Sequence, residues 1–356
     1  MRVLPISLTG NSRFSLRADN KSHSKTFCAT SPDSISFQRL LPKNAKIKIA
    51  FFDIDETLKH WDDKLPEDAA QKIRNKLFDY VKSNKITSVY SSDRGLDKII
   101  PLIEDGILAQ PDWIVGNNGG FIYKNNNGKF EEIKSWSDNL LKNFNKEKIR
   151  GILVKIANEK GNKFSQKEWS KIPLELIPDG QKEFRGSKIS EYVGNESPIN
   201  LRLVLAPKMY EKNIQKIEKE FKNNNVKAGF LLFHYPKEMG SYECLRKYFD
   251  HKKTTDMINH YRPRLYPDSS YDVLLVSASD KGMASEYIRK NLGLKRSEVF
   301  AAGDGENDFS NANKKYHFAL ISNAVEGLKK MLNQTQKINI IEVTKPGAEG
   351  ILEAFV

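Results

Sequence analysis

Two carboxylates stand two residues apart in Phe51-Phe52-Asp53-Ile54-Asp55-Glu56-Thr57-Leu58, directly after the apolar run IKIAFF at 47–52. At a strand end, period-two geometry points both acids to one side. One carboxylate of such a pair can attack phosphorus, since aspartate forms covalent phosphoryl intermediates. The other can protonate the leaving oxygen and later deprotonate water. Two acids beside a phosphate repel it, so the arrangement calls for a cation, and Mg²⁺ suits oxygen ligands and phosphate partners. Taken alone, paired acids could also simply end a strand in a solvated loop.

Three further segments add to the pair. Gly303-Asp304-Gly305-Glu306-Asn307-Asp308 follows the apolar run VFAA, its glycines allowing a tight turn beside a ligand and Asp304 and Asp308 offering hard oxygen ligands. The acids lack the spacing of an EF-hand calcium loop. Lys281, in Ser279-Asp280-Lys281-Gly282, stands at a helix start just past VLLV. An exposed lysine is usually a solvated charge, but opposite acidic metal ligands it can neutralise a phosphate and the nucleophile. Ser91-Ser92 closes ITSVYS and offers hydroxyl and backbone donors to a phosphoryl oxygen.

Positioning these groups requires a particular scaffold. The apolar runs at 47–52, 86–91, 113–116, 271–276, 299–303, 318–321 and 338–343 read as strands, and helical patterns fall between them. Ala70, Ile73, Leu77 and Val81 recur at helical spacing after Pro66, and further helices fit 96–104 and 348–355. GFIY and KFEEI flank the turn-rich NNNG (125–128), a hairpin signal. Strands alternating with helices imply an α/β fold, a doubly wound parallel sheet with helices on both faces. The carboxyl ends of its strands are where such sheets bind ligands.

Between the two halves the rhythm changes. Residues 135–266 hold strand candidates at 188–193, 200–205 and 229–233 and an amphipathic helix carrying Tyr210, Ile214, Ile217 and Phe221 on one face. They read as an inserted α+β domain, leaving 46–134 and 267–356 as the core. Of the formal charge of +13, the segment from Ser135 to Tyr266 contributes 26 basic against 16 acidic residues. That excess is either a solvated surface or a field that draws in anionic substrates. No nucleic-acid-binding signature accompanies it, and no apolar run approaches a membrane span.

Residues 1–45, with eight serines and only two acids, read as a flexible tail or as a targeting leader. The two cysteines, Cys28 and Cys244, form no disulfide framework, which points to a reducing compartment, hence the cytoplasm, unless the tail directs export.

DIDET, Ser92, Lys281 and GDGEND occur in order, each after a strand, and together they resemble the four motifs of the haloacid dehalogenase-like phosphatase superfamily. The resemblance implies Asp53 as nucleophile and Asp55 as general acid/base. It gives Ser92, Lys281 and Asn307 to the phosphate. Mg²⁺ would be held by Asp53, the Asp55 carbonyl, Asp304 and Asp308. The insertion resembles the second type of cap domain in that superfamily. PDWIVGNNGGFIY (111–123), QKEFRGSKISEYV (181–193) and the ending GAEGI (347–351) are similar to sucrose-phosphate phosphatases and related sugar-phosphate enzymes. This adds Gln181 and Lys188 as candidate substrate contacts and a sugar phosphate as the expected small-molecule partner. The same aspartyl chemistry would also serve a phosphosugar mutase, and the fold could serve a regulatory protein without catalysis. One departure stands out: the family has Gly before the Arg of its second motif, whereas this chain reads Ser92-Asp93-Arg94. Asp93 is expected to repel phosphate unless Arg94 pairs with it.

Overall fold

The run at 47–52 has no polar alternation, so it needs cover on both faces. In the structure, a computed structural model describing residues 37–38, 40–42, 44–59, 67–158, 189–191, 197–205, 209–235, 271–335 and 339–356, that cover is present. The first half of the chain runs β1 (Phe37–Gln38), β2 (Ile49–Phe52), α1 (Glu67–Ser83), β3 (Thr87–Ser91), α2 (Leu96–Glu104), β4 (Trp113–Gly116), β5 (Phe121–Asn126) and β6 (Lys129–Glu132). Then come α3 (Lys134–Asn143), α4 (Lys146–Asn158), β7 (Ile189–Glu191), β8 (Asn200–Leu205), α5 (Met209–Asn223) and β9 (Gly229–Tyr235). The last part holds β10 (Tyr271–Ser277), α6 (Lys281–Asn291), β11 (Val299–Gly303), α7 (Phe309–Ala312), β12 (His317–Leu320), α8 (Glu326–Asn333), β13 (Asn339–Glu342) and α9 (Gly347–Phe355).

Nine strands form one sheet in the order β1-β13-β12-β11-β2-β3-β4-β5-β6. Pairings are parallel from β1 across to β4 and antiparallel at β5 and β6. Strand β2 is central and wholly buried, and its consecutive phenylalanines face opposite layers. Phe52 meets Phe78 of α1 edge-on and tilts against Phe300, while Phe51 stacks on Tyr316. Burying each ring contributes roughly 1.5–3 kcal/mol. From β2 the chain winds outward through β3 and β4, then returns to β2's other side as β11. The crevice between β2 and β11 is therefore the topological switch point, where ligands of such sheets bind. At the far edge, β5 and β6 close through Asn127 and Gly128, at φ 52° and 94°, as a primed two-residue hairpin requires.

A second, antiparallel sheet has the order β7-β8-β10-β9. One of its faces packs under α4 and α5, where Leu201, Phe230, Leu274 and Val276 join Ile149, Leu153, Ile217 and Phe221 in the core.

Two expectations are corrected. The run 271–276, expected in the parallel core, is β10, hydrogen-bonded to β8 and β9 in the second sheet. A strand covered on both sides reads the same whichever sheet takes it. Phe37–Gln38, inside the segment expected as a tail, adds a parallel edge to β13 beside Ile340 and Ile341. Pro66, Gln181, Lys188, Cys28 and Cys244 lie outside the described residues. No helix among the described residues is long and apolar enough to cross a membrane.

Candidate active site

The loop after β2 turns back at once. The amides of Leu58 and Lys59 both donate to the Ile54 carbonyl, Glu56 adopts a left-handed φ of 59°, and Asn323 Nδ2 donates to the Glu56 carbonyl at 2.7 Å. This turn leaves Asp53 at the crevice and Asp55 at its more open mouth. Across the crevice, Gly303 ends β11. A methyl group there would meet Asp308 Cγ at 2.2 Å, so only glycine lets that carboxylate fold back toward the strand end. Asp308 is fixed there by the Gly305 amide, which donates to its Oδ2 at 3.1 Å.

Lys281, at the start of α6, joins the two loops. Its Nζ donates to Asp53 Oδ1 and to Asp308 Oδ1, each at 2.7 Å, and the lysine is fully buried. Its helix begins at Asp280, whose side chain accepts from the Met283 amide, and it is wedged against the loop 117–120. A Cβ on Gly119, at φ 91°, would lie 2.1 Å from the Asp280 carbonyl oxygen, so this contact too requires glycine. Thr57 donates to Asp304 Oδ1 at 2.8 Å and orients the third acid.

Asp53, Asp304 and Asp308 are all buried and bring ligand oxygens within 4.8 Å of one another. Burial, then the Asp308 carboxylate, pushes Asp53 up to about 8 against the pull of Lys281. Burial, then Asp53 and Asp308, holds Asp304 well above the usual carboxylate range. Burial alone would lower the Lys281 pKa, but Asp308 and Asp53 outweigh it and raise it. If all three carboxylates ionise, as binding a metal would require, they and the one ammonium leave two negative charges uncompensated, which a divalent cation would cancel. The donors are all oxygens, so the cluster fits a hard cation of the Mg²⁺ class.

Ser92, at the end of β3, is buried, and its Oγ accepts from the Arg94 amide at 3.1 Å. Asn307 lines a cleft between the loops and the second sheet. Arg94, weighed in the sequence as a partner for Asp93, reaches across to Asp55. Its Nε and Nη2 donate to the two oxygens of Asp55 at 2.8 and 2.7 Å. Because β3 is hydrogen-bonded to β2, the guanidinium reaches the neighbouring loop and finds a fork-on-fork partner there. Thr57 and this role of Arg94 are what the sequence reading missed. A hydroxyl between the apolar Ile54 and Leu58 was the available signal for the first, and β3–β2 adjacency for the second.

The structure thus brings Asp53, Asp55, Ser92, Lys281, Asp304, Asn307 and Asp308 to one end of the sheet, at β2, β3 and β11. A family model for haloacid dehalogenase-like hydrolases matches residues 50–339. No curated protein sequence matches the chain. A sucrose-phosphatase from Synechocystis, solved with sucrose and phosphate, superposes with a TM-score of 0.56 at 15% identity, covering 89% of this chain and 97% of that one. A haloacid dehalogenase-like hydrolase from Bacillus subtilis superposes with a TM-score of 0.51 at 18% identity, covering 89% and 93%. These two likenesses show a shared fold. The family match covers most of the sequence, and with it the chain belongs to the haloacid dehalogenase-like hydrolases.

Proposed function

We propose that this hydrolase is a phosphatase that removes phosphate from a sugar phosphate through a phosphoryl group carried on Asp53. The observation that carries the reading is the buried Lys281 ammonium, held 2.7 Å from both Asp53 and Asp308 at the switch point of the sheet. It would balance charge where a phosphate and its attacking carboxylate meet. Asp53 attacks phosphorus, the P–O bond to the sugar breaks, and Asp55 gives its proton to the departing oxygen. Asp55 then takes a proton from water, which attacks the phosphorus and frees inorganic phosphate and Asp53. For that role Asp55 has to leave Arg94, so the arriving phosphate has to draw the guanidinium to itself. Ser92 and Asn307 bind phosphoryl oxygens. Mg²⁺ is the proposed cofactor; Asp53, Asp304, Asp308 and the Asp55 carbonyl would hold it, and when bound it would neutralise charge on the transferring group.

A phosphate-release screen over sugar phosphates, with and without Mg²⁺, tests the reading, and identifying the products separates hydrolysis from isomerisation. No release from any phosphomonoester with Mg²⁺ present would overturn it. The cation also has a readout apart from activity. Folding raises the Asp53 pKa from 3.8 to about 8, so the metal-free protein is expected to lose stability as pH rises through that window. Added Mg²⁺ should raise the melting temperature, and by more at pH 8 than at pH 5. An identical shift at both pH values would count against the acidic cluster as the binding site.

Substrate choice falls to the inserted domain under this reading, with Gln181 and Lys188 as its proposed contacts. Lys188→Ala is expected to raise KM for the preferred sugar phosphate about tenfold, one lost charged hydrogen bond. A small aryl phosphate, which needs little from that domain, should change much less. A parallel change in both substrates would remove Lys188 from the account.

A further inference from the structure

The first turn of α6 carries amides that have no partner within the helix, and Lys281 is its first residue. One of these amides, that of Met283, donates to Asp280 Oδ1 at 2.6 Å. Another is held from outside the helix. The Gly282 amide donates to Ser310 Oγ at 2.9 Å, and the same hydroxyl donates to the Asn307 carbonyl at 2.9 Å. Ser310 belongs to α7, two residues past Asp308. A side chain of the acidic segment therefore caps the helix that begins with the lysine.

The two elements meet at backbone distance. A Cβ on Gly282 would lie 2.2 Å from the Ser310 carbonyl oxygen. Further along α6, Ser285 Oγ donates to Asn311 Oδ1 at 2.7 Å, and both residues are buried. Two hydroxyls thus bind α6 to the segment after β11, and they differ in what they touch. Ser310 joins the residue after Lys281 to the peptide between Asn307 and Asp308. Ser285 joins the second turn of α6 to Asn311, beyond the acidic loop.

We propose that Ser310 is a positioning residue: its hydroxyl fixes the start of α6 against the Asn307–Asp308 peptide, and so places the Lys281 ammonium between Asp53 and Asp308. A hydroxyl accepts and donates at once, as these two bonds require. Alanine can do neither, and threonine can do both. Without the hydroxyl, the Gly282 amide loses its acceptor, which is costly where water is scarce, and the first turn of α6 would move to find another. The ammonium it carries sits 2.7 Å from each carboxylate, a length that leaves no room for such a shift. For its effect on rate the proposal rests on the phosphatase reading; its effect on the metal cluster is measured separately.

Wild type, Ser310→Ala, Ser310→Thr and Ser285→Ala are compared as intact proteins, with p-nitrophenyl phosphate as substrate and Mg²⁺ titrated into thermal melts. Ser310→Ala is expected to lower kcat at saturating Mg²⁺ about tenfold with KM little changed, and to raise by about tenfold the Mg²⁺ that gives half the rise in melting temperature, the scale on which groups that orient metal ligands act. Ser310→Thr should restore both. Ser285→Ala removes a hydroxyl from the same contact and should lower the melting temperature without either change. In a Lys281→Met background the loss of kcat from Ser310→Ala should largely disappear, because the serine acts through that ammonium. A loss that persists in full in that background, or that Ser285→Ala matches, would mean that Ser310 only stabilises the fold, and the proposal fails. If the wild type releases no phosphate from any phosphomonoester, the phosphatase reading fails instead, and the Mg²⁺ requirement of the melts decides the role of Ser310 by itself. Should Ser310→Ala not fold, Ser310→Cys, which keeps the shape and weakens both bonds, takes its place.

Discussion

Asp53→Asn is expected to abolish turnover, with a loss on the order of 10⁴-fold or more, and to leave the fold intact. The size follows from the role proposed for the residue: a nucleophile cannot be replaced by groups that only bind or orient, so removing it would take away most of what the whole constellation achieves. The amide fills the same space at the end of β2 and can still accept from Lys281, so the crevice should not collapse. Lys281 also keeps its 2.7 Å contact to Asp308. Stability gives a second reading of the same variant. In the wild type, ionising Asp53 works against folding from the ordinary carboxylate value of 3.8 up to about 8. Asparagine has no proton to lose in that window, so the metal-free variant should lose less of its melting temperature as pH rises across it. Steady-state phosphate release and thermal melts at several pH values measure the two effects. Near-normal release would remove Asp53 from the chemistry. A melting profile identical to the wild type would mean that the buried carboxylate is not the group being titrated.

Lys281→Met has the second largest expected effect, and it acts on activity and stability together. Methionine keeps much of the length and volume but removes the charge between Asp53 and Asp308. Loss of a preorganised cation at a developing negative charge costs on the order of 10²–10³-fold in rate. Breaking a buried ion pair by removing one partner costs about 3–5 kcal/mol, because the remaining charges stay buried and uncompensated. Denaturant melts in chelator should show that loss, and Mg²⁺ should recover part of it. A variant as stable as the wild type without metal would mean that the carboxylates are protonated in both proteins and that the lysine bears little of the balance. Arginine is no conservative replacement, since its planar fork needs more room than a fully buried ammonium occupies.

Most of the candidate site's placement was legible because its residues come in types that need partners and sit directly after apolar runs. Asp53 follows IAFF and Asp304 follows VFAAG, and in a parallel sheet both positions are strand ends on one rim. Asn127-Gly128 and the stripe holding Ile217 and Phe221 were equally plain, since a primed turn and a helix face each leave a local pattern. What escaped was set by side-chain reach and by which sheet a strand joins. The sequence offered only Asp93 as a neighbour for Arg94, whereas its guanidinium extends to Asp55 on the adjacent strand's loop. The run at 271–276 was expected in the core because burial on both faces erases the alternation that marks an antiparallel strand. Its neighbours, β8 and β9, begin 71 and 42 residues earlier by numbering, at Asn200 and Gly229, and nothing local announces such pairings. Two residues, Phe37 and Gln38, are too few to carry any period at all.

The central position of β2 has a consequence for the chain while it is being made. Val299 to Ala302 are the hydrogen-bonding neighbours of Ile49 to Phe52, and Lys281 is 228 residues beyond the aspartate it holds. During synthesis β2 can find β3 early, but its other edge has no partner until the inserted unit has been completed. For that interval a wholly apolar strand presents unpaired amides and carbonyls, an edge that invites pairing with other chains. The reaction centre itself does not exist until β11 docks, and the same late event seals the exposed edge. A nascent chain therefore passes from its most aggregation-prone form to its catalytically assembled form in a single step.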